Sequence, residues 1–374
     1  MASQSKIEWT ETTWNPVVGC TWKSPGCDNC YAARMSRRLE AMGKADYVGL
    51  TSRKHFNGTV RTLDHKLVEP LGWRKPRRVF VNSMSDLFHE SVPFDFIDEV
   101  LAVMALCPQH TFQVLTKRPE RMADYLQSAP FSDHVADRIY HQVSRWLDHE
   151  DGDPLGDGVR WDKAHNLATW RGEGGWTLPL TNVWLGTSVE DQASADERIP
   201  HLLRCPAAVR FLSCEPLLGP VDLHLMRPAE HLKGPCGGGS HLERRRFLHW
   251  IIVGGESGPG ARPMHPDWAR SLRDQCEAVG VALFFKQWGA WEPFERDGID
   301  LVGQSGQRFD RHVLPSDIAQ HKPGHWYWPW GGDDVVFKRV GKKAAGRLLD
   351  KREWNDLPGA AGTRAAPGAE GGGP

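Results

Sequence analysis

A recurring pattern constrains this chain more than any single residue does. A short run of β-branched and aromatic residues is followed by polar residues and then by a segment of helical period. "RVFVN" (78–82) precedes "DFIDEVLAVMALC" (95–107), where Phe96, Val100, Val103, Met104 and Cys107 share one helical face. "TFQVLTK" (111–117) precedes "PERMADYLQSA" (119–129), and "NVWLGTS" (182–188) precedes "SADERIPHLLRC" (194–205). "VRFLSC" (209–214) and "HWIIVGG" (249–255) follow, then "HPDWARSLRDQCEAVG" (265–280) and "VALFFKQ" (281–287). With a short run "PVVG" (16–19) before Cys20, six or seven strands alternate with helices. Such alternation favours a parallel sheet with right-handed crossovers, either barrel-like or doubly wound.

Two stretches read as insertions: the polar 130–180, and 224–247 with its "GPCGGGSHLERRR". Beyond Trp288 the alternation stops. Residues 291–358 are expected to form an irregular extension with a basic helix over 337–352, and 359–374 reads as a disordered tail.

The 374 residues are 40% hydrophobic, enough for a sizeable core. No signal-like or membrane-spanning apolar run is present, which gives the expectation of a cytoplasmic protein with no membrane association. In a reducing compartment the eight cysteines read as core residues, metal ligands or reactive thiols, not as a disulfide framework. A net charge of −1 argues against a globally basic nucleic-acid binder and leaves room for a local basic face.

In parallel α/β folds, functional groups collect on the loops after the strands' C-terminal ends. Here those ends carry Ser85 and Asp86, then Lys117 and Arg118, then Ser188 and Glu190, then Cys214 and Glu215, then Gly254, Gly255 and Glu256, then Lys286 and Gln287. If the strands are parallel, these groups rim one opening.

"GCTWKSPGCDNCYAARM" (19–35) joins that rim with Cys20, Cys27 and Cys30. A C-x2-C pair lets two sulfurs grip one ion or cluster, and Pro25-Gly26 favours the reversal that brings Cys20 back as a third ligand. Three thiolates on a [4Fe-4S] cluster would leave one iron open to a substrate or cofactor. A structural zinc site completed by His55 or His65 is the competing reading, and three ordinary reduced cysteines a further one.

The chain resembles the radical S-adenosylmethionine superfamily, and within it the phage and bacterial proteins named for a three-cysteine motif. The resemblance rests on "TWNPVVGCTWKSPGCDNCYA" (13–32), "VFVNSMSDLFHE" (79–90), "FQVLTKRPERM" (112–122), "NVWLGTSVEDQ" (182–192), "FLSCEPLLGPVDL" (211–223), "IIVGGESGPGARPM" (251–264) and "FFKQWG" (284–289). It implies a partial (β/α)6 TIM-like barrel over 1–290, with a [4Fe-4S] cluster on Cys20, Cys27 and Cys30 and S-adenosyl-L-methionine on the open iron. It implies reductive cleavage of that cofactor, hydrogen abstraction from a substrate, and a reductant such as flavodoxin or ferredoxin. A protein encoded by a neighbouring partner gene is a further implied partner.

The loop is C-x6-C-x2-C, where the superfamily's commonest spacing is C-x3-C-x2-C. The "GGE" at 254–256 follows a late strand, where the superfamily's Gly-Gly-Glu follows the second, so its ammonium-binding role is not carried to Glu256. Ser85 and Asp86 stand at the second-strand position and are expected near the methionine ammonium. Lys117 is expected on a carboxylate or phosphate, Ser188 and Glu190 on ribose hydroxyls, and Gly254 and Gly255 in close approach to adenine or ribose. Strand-capping, a helix N-cap and a tight turn are the plainer alternatives for these three groups. Cys214 is expected either to donate a hydrogen atom to a substrate radical or to fill space in the core. The basic segments 74–78, 243–246 and 337–352 make a nucleic-acid or nucleotide substrate an expectation. The alternative function is a zinc-stabilised nucleic-acid-binding protein without redox activity.

Overall fold

The computed structural model describes residues 5, 7–127, 179–224, 247–297, 300–303, 308–309, 325–327 and 335–359. Most of both expected insertions, the segment 243–246 and nearly all of the tail after 359 lie outside the described residues.

Seven strands form one sheet: β1 (Thr12–Trp14), β2 (Arg78–Val81), β3 (Thr111–Thr116), β4 (Val183–Ser188), β5 (Val209–Cys214), β6 (Trp250–Gly254) and β7 (Ala282–Gln287). They pair in sequence order and parallel throughout. Unbroken sequential order is the topology of a barrel wall, since a doubly wound sheet reverses its order midway. The fold is a mixed α/β partial barrel.

The pleat sorts side chains to two faces. Val79, Val81, Phe112, Val114, Leu185, Leu212, Ile251, Val253, Leu283 and Phe285 point outward into the larger core. They meet there the helices α2 (Phe94–Leu106), α3 (Pro119–Gln127), α4 (Gln192–Arg204) and α5 (Pro266–Val279). The alternate residues Phe80, Phe211, Trp250, Ile252 and Phe284 fill the concave face with Trp9. Trp9 meets Phe80 edge-on at 4.8 Å and Trp250 at 6.1 Å, pairings worth about 0.5–1.5 kcal/mol each beyond area burial. The turn preceding β1 thus supplies a plug for the interior.

Two local expectations change. Val17–Val18 does not join the parallel sheet; it pairs antiparallel with Arg61–Thr62, and β1 is the first sheet strand. Residues 337–352 do not form one helix. Val336–Arg339 is a strand and Lys342–Ala345 a single helical turn, bounded by Gly341 at φ 86° and Gly346 at φ 73°. Trp291–Asp297, Asp300–Gly303, Arg308–Phe309, His325–Tyr327 and Val336–Arg339 build a small antiparallel sheet that the composition of this region conceals. Among the described residues no helix is long and apolar enough to cross a membrane.

Candidate functional site

A cavity of about 390 Å³ opens at the C-terminal ends of the strands. Its floor is apolar, formed by Ile7, Trp9, Phe80 and Leu115, and Cys20, Cys27 and Cys30 lie together on one wall. Proline at 25 starts a single 3-10 turn over Pro25–Cys27; Cys27 N donates to Ser24 O at 2.7 Å and Cys30 N to Cys27 O at 3.3 Å. Cys30 then caps α1 (Tyr31–Ala41). The bridge between Gly19 and Ser85, with Gly19 N donating to Met84 O at 3.2 Å, fixes the Cys20 end.

The loop is clamped from both sides. Beneath it, the fully buried Glu190 accepts from Ser24 Oγ at 2.9 Å and Arg198 Nη1 at 2.9 Å, and pairs with the Lys117 ammonium. Gly26 lets the loop sit this low: a Cβ there would lie 2.6 Å from Glu190 Oε1. From the other side Glu256 accepts from Asn29 Nδ2 at 3.0 Å and from Arg262 Nη2 at 2.7 Å. Arg262 Nη2 also donates to Pro25 O at 2.9 Å.

Two neighbouring cations face the thiols. Lys117 Nζ is 3.5 Å from Cys27 Sγ, and Arg118 Nη1 is 4.0 Å from Cys20 Sγ. Burial lowers the affinity of Lys117 for its proton, but Glu190 and Cys27 overcome this and raise it. Burial would likewise raise the Glu190 carboxyl, yet Lys117 and Arg198 hold it below the usual carboxylate range. The Cys20 thiol is pushed up to about 12 by burial, reinforced by Asp86 and partly offset by Arg118. Burial also raises Cys30, against the pull of the Ala33 and Ala32 amides in the first turn of α1. Around Cys20 and Cys30 the pocket therefore disfavours bare thiolates unless a cationic group binds them.

Ser85, Asp86, Lys117, Ser188 and Gly255 all line the cavity with the three cysteines. Asp86 has both oxygens engaged, accepting from Thr116 Oγ1 at 2.7 Å, Phe88 N at 3.0 Å, Lys117 N at 3.0 Å and Arg118 Nη1 at 3.1 Å. It holds the Arg118 guanidinium and the backbone at Lys117 in place, and its acceptor capacity for an ammonium is largely used. Ser85 Oγ donates to Val17 O at 2.7 Å. Glu190 is not among the residues lining the cavity; its oxygens hold the loop from below. Gly254 does not line it either, and a Cβ there would meet the Glu215 side chain at 3.3 Å. A Cβ on Gly255 would lie 2.1 Å from the carbonyl oxygen of Trp288, so this glycine answers to chain packing. Cys214 is fully buried in the outer core, and its neighbour Ser213 lines the cavity instead. Burial raises that thiol, with Cys276 adding to the effect.

Of the competing zinc ligands, His55 lines the cavity, whereas His65 is exposed and sits 3.3 Å from Asp46. Among the described residues no group of three or more His, Cys, Asp or Glu side chains could hold a single metal ion. The other described cysteines, Cys107, Cys205, Cys214 and Cys276, are buried away from the cavity.

The cavity is also lined by Glu215, held by Lys286 Nζ at 2.7 and 2.8 Å, and by Lys342, which pairs with Glu8 at 2.7 Å. Position at a strand end flagged Glu215 and Lys286 without a role. Nothing in local pattern points to Trp9, and Lys342 reads only as one of the basic residues of 337–352, because distant segments bring both to the cavity.

A model of the family described as "Protein of unknown function (DUF5131)" matches residues 4–358. No curated protein and no solved structure matches the chain.

Proposed function

The chain belongs to the DUF5131 family, whose function is unknown, and from its cysteine-lined cavity we propose that it is a radical S-adenosylmethionine enzyme. The observation that carries this reading is that Cys20, Cys27 and Cys30 share one cavity wall, with Lys117 and Arg118 set against two of their sulfurs. These residues suit a [4Fe-4S] cluster, whose ligands are spread more widely than those of a single ion, and two adjacent cations offset the negative charge of thiolate ligation. In this reading the sheet is the wall of a TIM-like (β/α)6 partial barrel, with short β1 as an additional edge strand.

When bound, the cluster and S-adenosyl-L-methionine supply one-electron chemistry that ends in hydrogen abstraction from a substrate. The chain does the rest. Cys20, Cys27 and Cys30 hold the cluster, and Lys117 and Arg118 neutralise it. Asp86 orients the Arg118 guanidinium and fixes the backbone at Lys117, and Glu190 pairs with the Lys117 ammonium and carries the loop from below. Ser85 and Ser188 present hydroxyl groups to the cofactor, while Trp9, Phe80 and Leu115 keep the floor dry. The electron donor is of the flavodoxin or ferredoxin class.

Oxygen-free purification tests the reading. A brown protein with about four irons per chain, losing its iron on Cys20→Ala and forming deoxyadenosine on reduction, is the expected result. A colourless protein holding one zinc would overturn it in favour of a zinc-stabilised binding protein.

A further inference from the structure

Among the described residues, the mouth of the cavity brings basic side chains together with exposed aromatic surface. Between residues 19 and 58 stand seven Lys or Arg against three Asp or Glu, in a chain whose net charge is −1. The structure sets four of them, Arg37, Arg38, Arg53 and Lys54, on α1 and the adjoining turn. Arg37 Nη1, on α1, donates to Arg53 O at 2.7 Å, which ties the exposed face of that helix to the turn joining Thr51–Ser52 and His55–Phe56. Arg37, Arg38, Arg53 and Lys54 are exposed, and among the described residues no carboxylate pairs with any of them. His55 and Phe56, at the end of the same turn, line the cavity.

Two rings flank this basic track at the cavity edge. Trp22 is 53% exposed and Tyr31 47%, which leaves ring surface open to solvent. Each is nevertheless held by its polar edge: Trp22 Nε1 donates to Asp28 Oδ1 at 2.8 Å, and Tyr31 Oη to Ser83 O at 2.6 Å. A ring fixed by its edge loses little freedom when something stacks on it. Fixed exposed rings beside unpaired cations are what a single strand needs, since bases stack on aromatics while phosphates track the charge. An acidic peptide would use the cations and leave the rings without a role.

We propose that this face binds single-stranded nucleic acid, with bases stacked on Trp22 and Tyr31 and the backbone along Arg37, Arg38, Arg53 and Lys54. That a nucleotide of the bound strand is the group acted on in the cavity rests on the radical-enzyme reading above; the binding itself does not. The basic residues 74–78 have no part in this face, because they lead into the N-terminal end of β2, at the opposite end of the sheet.

Fluorescence anisotropy of a labelled 20-nucleotide oligothymidine against the full chain tests the proposal. With about four phosphate contacts, log affinity should fall against log salt with a slope near −3, roughly fifty-fold from 50 to 200 mM. The double variant Arg37→Glu/Arg38→Glu should bind at least tenfold more weakly with a shallower slope. Trp22→Ala should lose about tenfold with the slope unchanged. Arg74→Glu/Lys75→Glu, both exposed at the far end, should bind as the parent does. Equal binding by the parent and the first two variants would overturn the proposal. So would polyglutamate binding as tightly and with the same dependence on Trp22, which would make the occupant an acidic protein. Repeating the titration with Cys20→Ser separates the two readings: retained binding without iron supports the face alone, and lost binding in iron-replete parent protein sinks only the face.

Discussion

The ammonium of Lys117 lies 3.5 Å from the sulfur of Cys27 while its other side is paired with the buried carboxylate of Glu190. One lysine therefore links the cysteine loop to the structural anchor beneath it, and its removal should be felt in two independent measurements. Lys117→Gln should destabilise the protein by about 1–3 kcal/mol, below the 3–5 kcal/mol typical of a broken buried pair, because Glu190 keeps Arg198 and Ser24. In iron-loaded protein, loss of a positive charge beside a ligating sulfur should move the reduction potential to more negative values. Denaturant unfolding and an oxygen-free redox titration read the two effects. An unchanged potential would mean that the lysine serves the fold alone.

Gly26 tests how closely the loop must seat. A Cβ there would lie 2.6 Å from Glu190 Oε1 and 2.9 Å from Lys117 Nζ. Glu190 has little room to yield, being held by Arg198 and Ser24. Gly26→Ala should cost about 1–3 kcal/mol by overpacking and lower the iron retained per chain after oxygen-free purification. Full retention would show that the loop seats without this contact.

The pH dependence of stability should carry a signature of His89. Its ring is buried, with Nδ1 accepting from Ser91 N at 3.1 Å and Nε2 set 3.0 Å from Thr21 Oγ1. Burial lowers its pKa below 6.5, Arg118 and Arg121 lower it further, and Glu90 and Asp86 oppose them. The folded state thus binds the proton less readily than the unfolded chain, so this contribution is complete above about pH 6.5 and is lost as the pH falls through the depressed value. His89→Asn should flatten the loss of stability between pH 7 and pH 5, measured by denaturant midpoints. An equally steep loss in the variant would assign the acid limb to other groups.

From β2 to β7 the strands, and the helices α2 to α5, were legible to within about two residues, because short β-branched and aromatic runs alternate with segments of helical period, as in β3 and α3 or β6 and α5; β1 and the strand Val336–Arg339 were not. Convergence of the strand ends followed from parallel order alone. What local pattern could not supply was contact between distant segments. Trp9 plugs the interior from before β1, and the short strands of residues 291–339 find partners far along the chain. Asp86 was legible as a carboxylate at the site, but three of its four donors come from the end of the next strand, at Thr116, Lys117 and Arg118. Cys214 could have been assigned by parity. Phe211 and Ser213 share a strand face, and Cys214 falls on the other with Leu212. A core position predicts that Cys214→Ser is worse than Cys214→Ala, since the new hydroxyl would be buried among apolar groups.

Gly255 separates packing from cofactor contact most sharply. A Cβ there would lie 2.1 Å from the Trp288 carbonyl oxygen and 2.5 Å from its carbonyl carbon, both backbone atoms. Trp288 cannot retreat easily: its ring is fully buried, stands 4.9 Å from Phe285, and donates from Nε1 to Leu348 O at 2.8 Å. Relief would require moving β7, whose Gln287 O accepts from Gly255 N at 2.9 Å. Gly255→Ala should therefore lower the melting temperature of metal-free protein by several degrees or prevent folding, at a cost of about 3 kcal/mol or more, the upper part of the overpacking range. Gly254→Ala should be milder, because its added methyl meets only the Glu215 side chain at 3.3 Å. Calorimetry of both variants without iron or cofactor checks this order. Were Gly255→Ala as stable as the parent and defective only when loaded, the glycine would be serving the ligand, and the close approach of Trp288 would not be its reason.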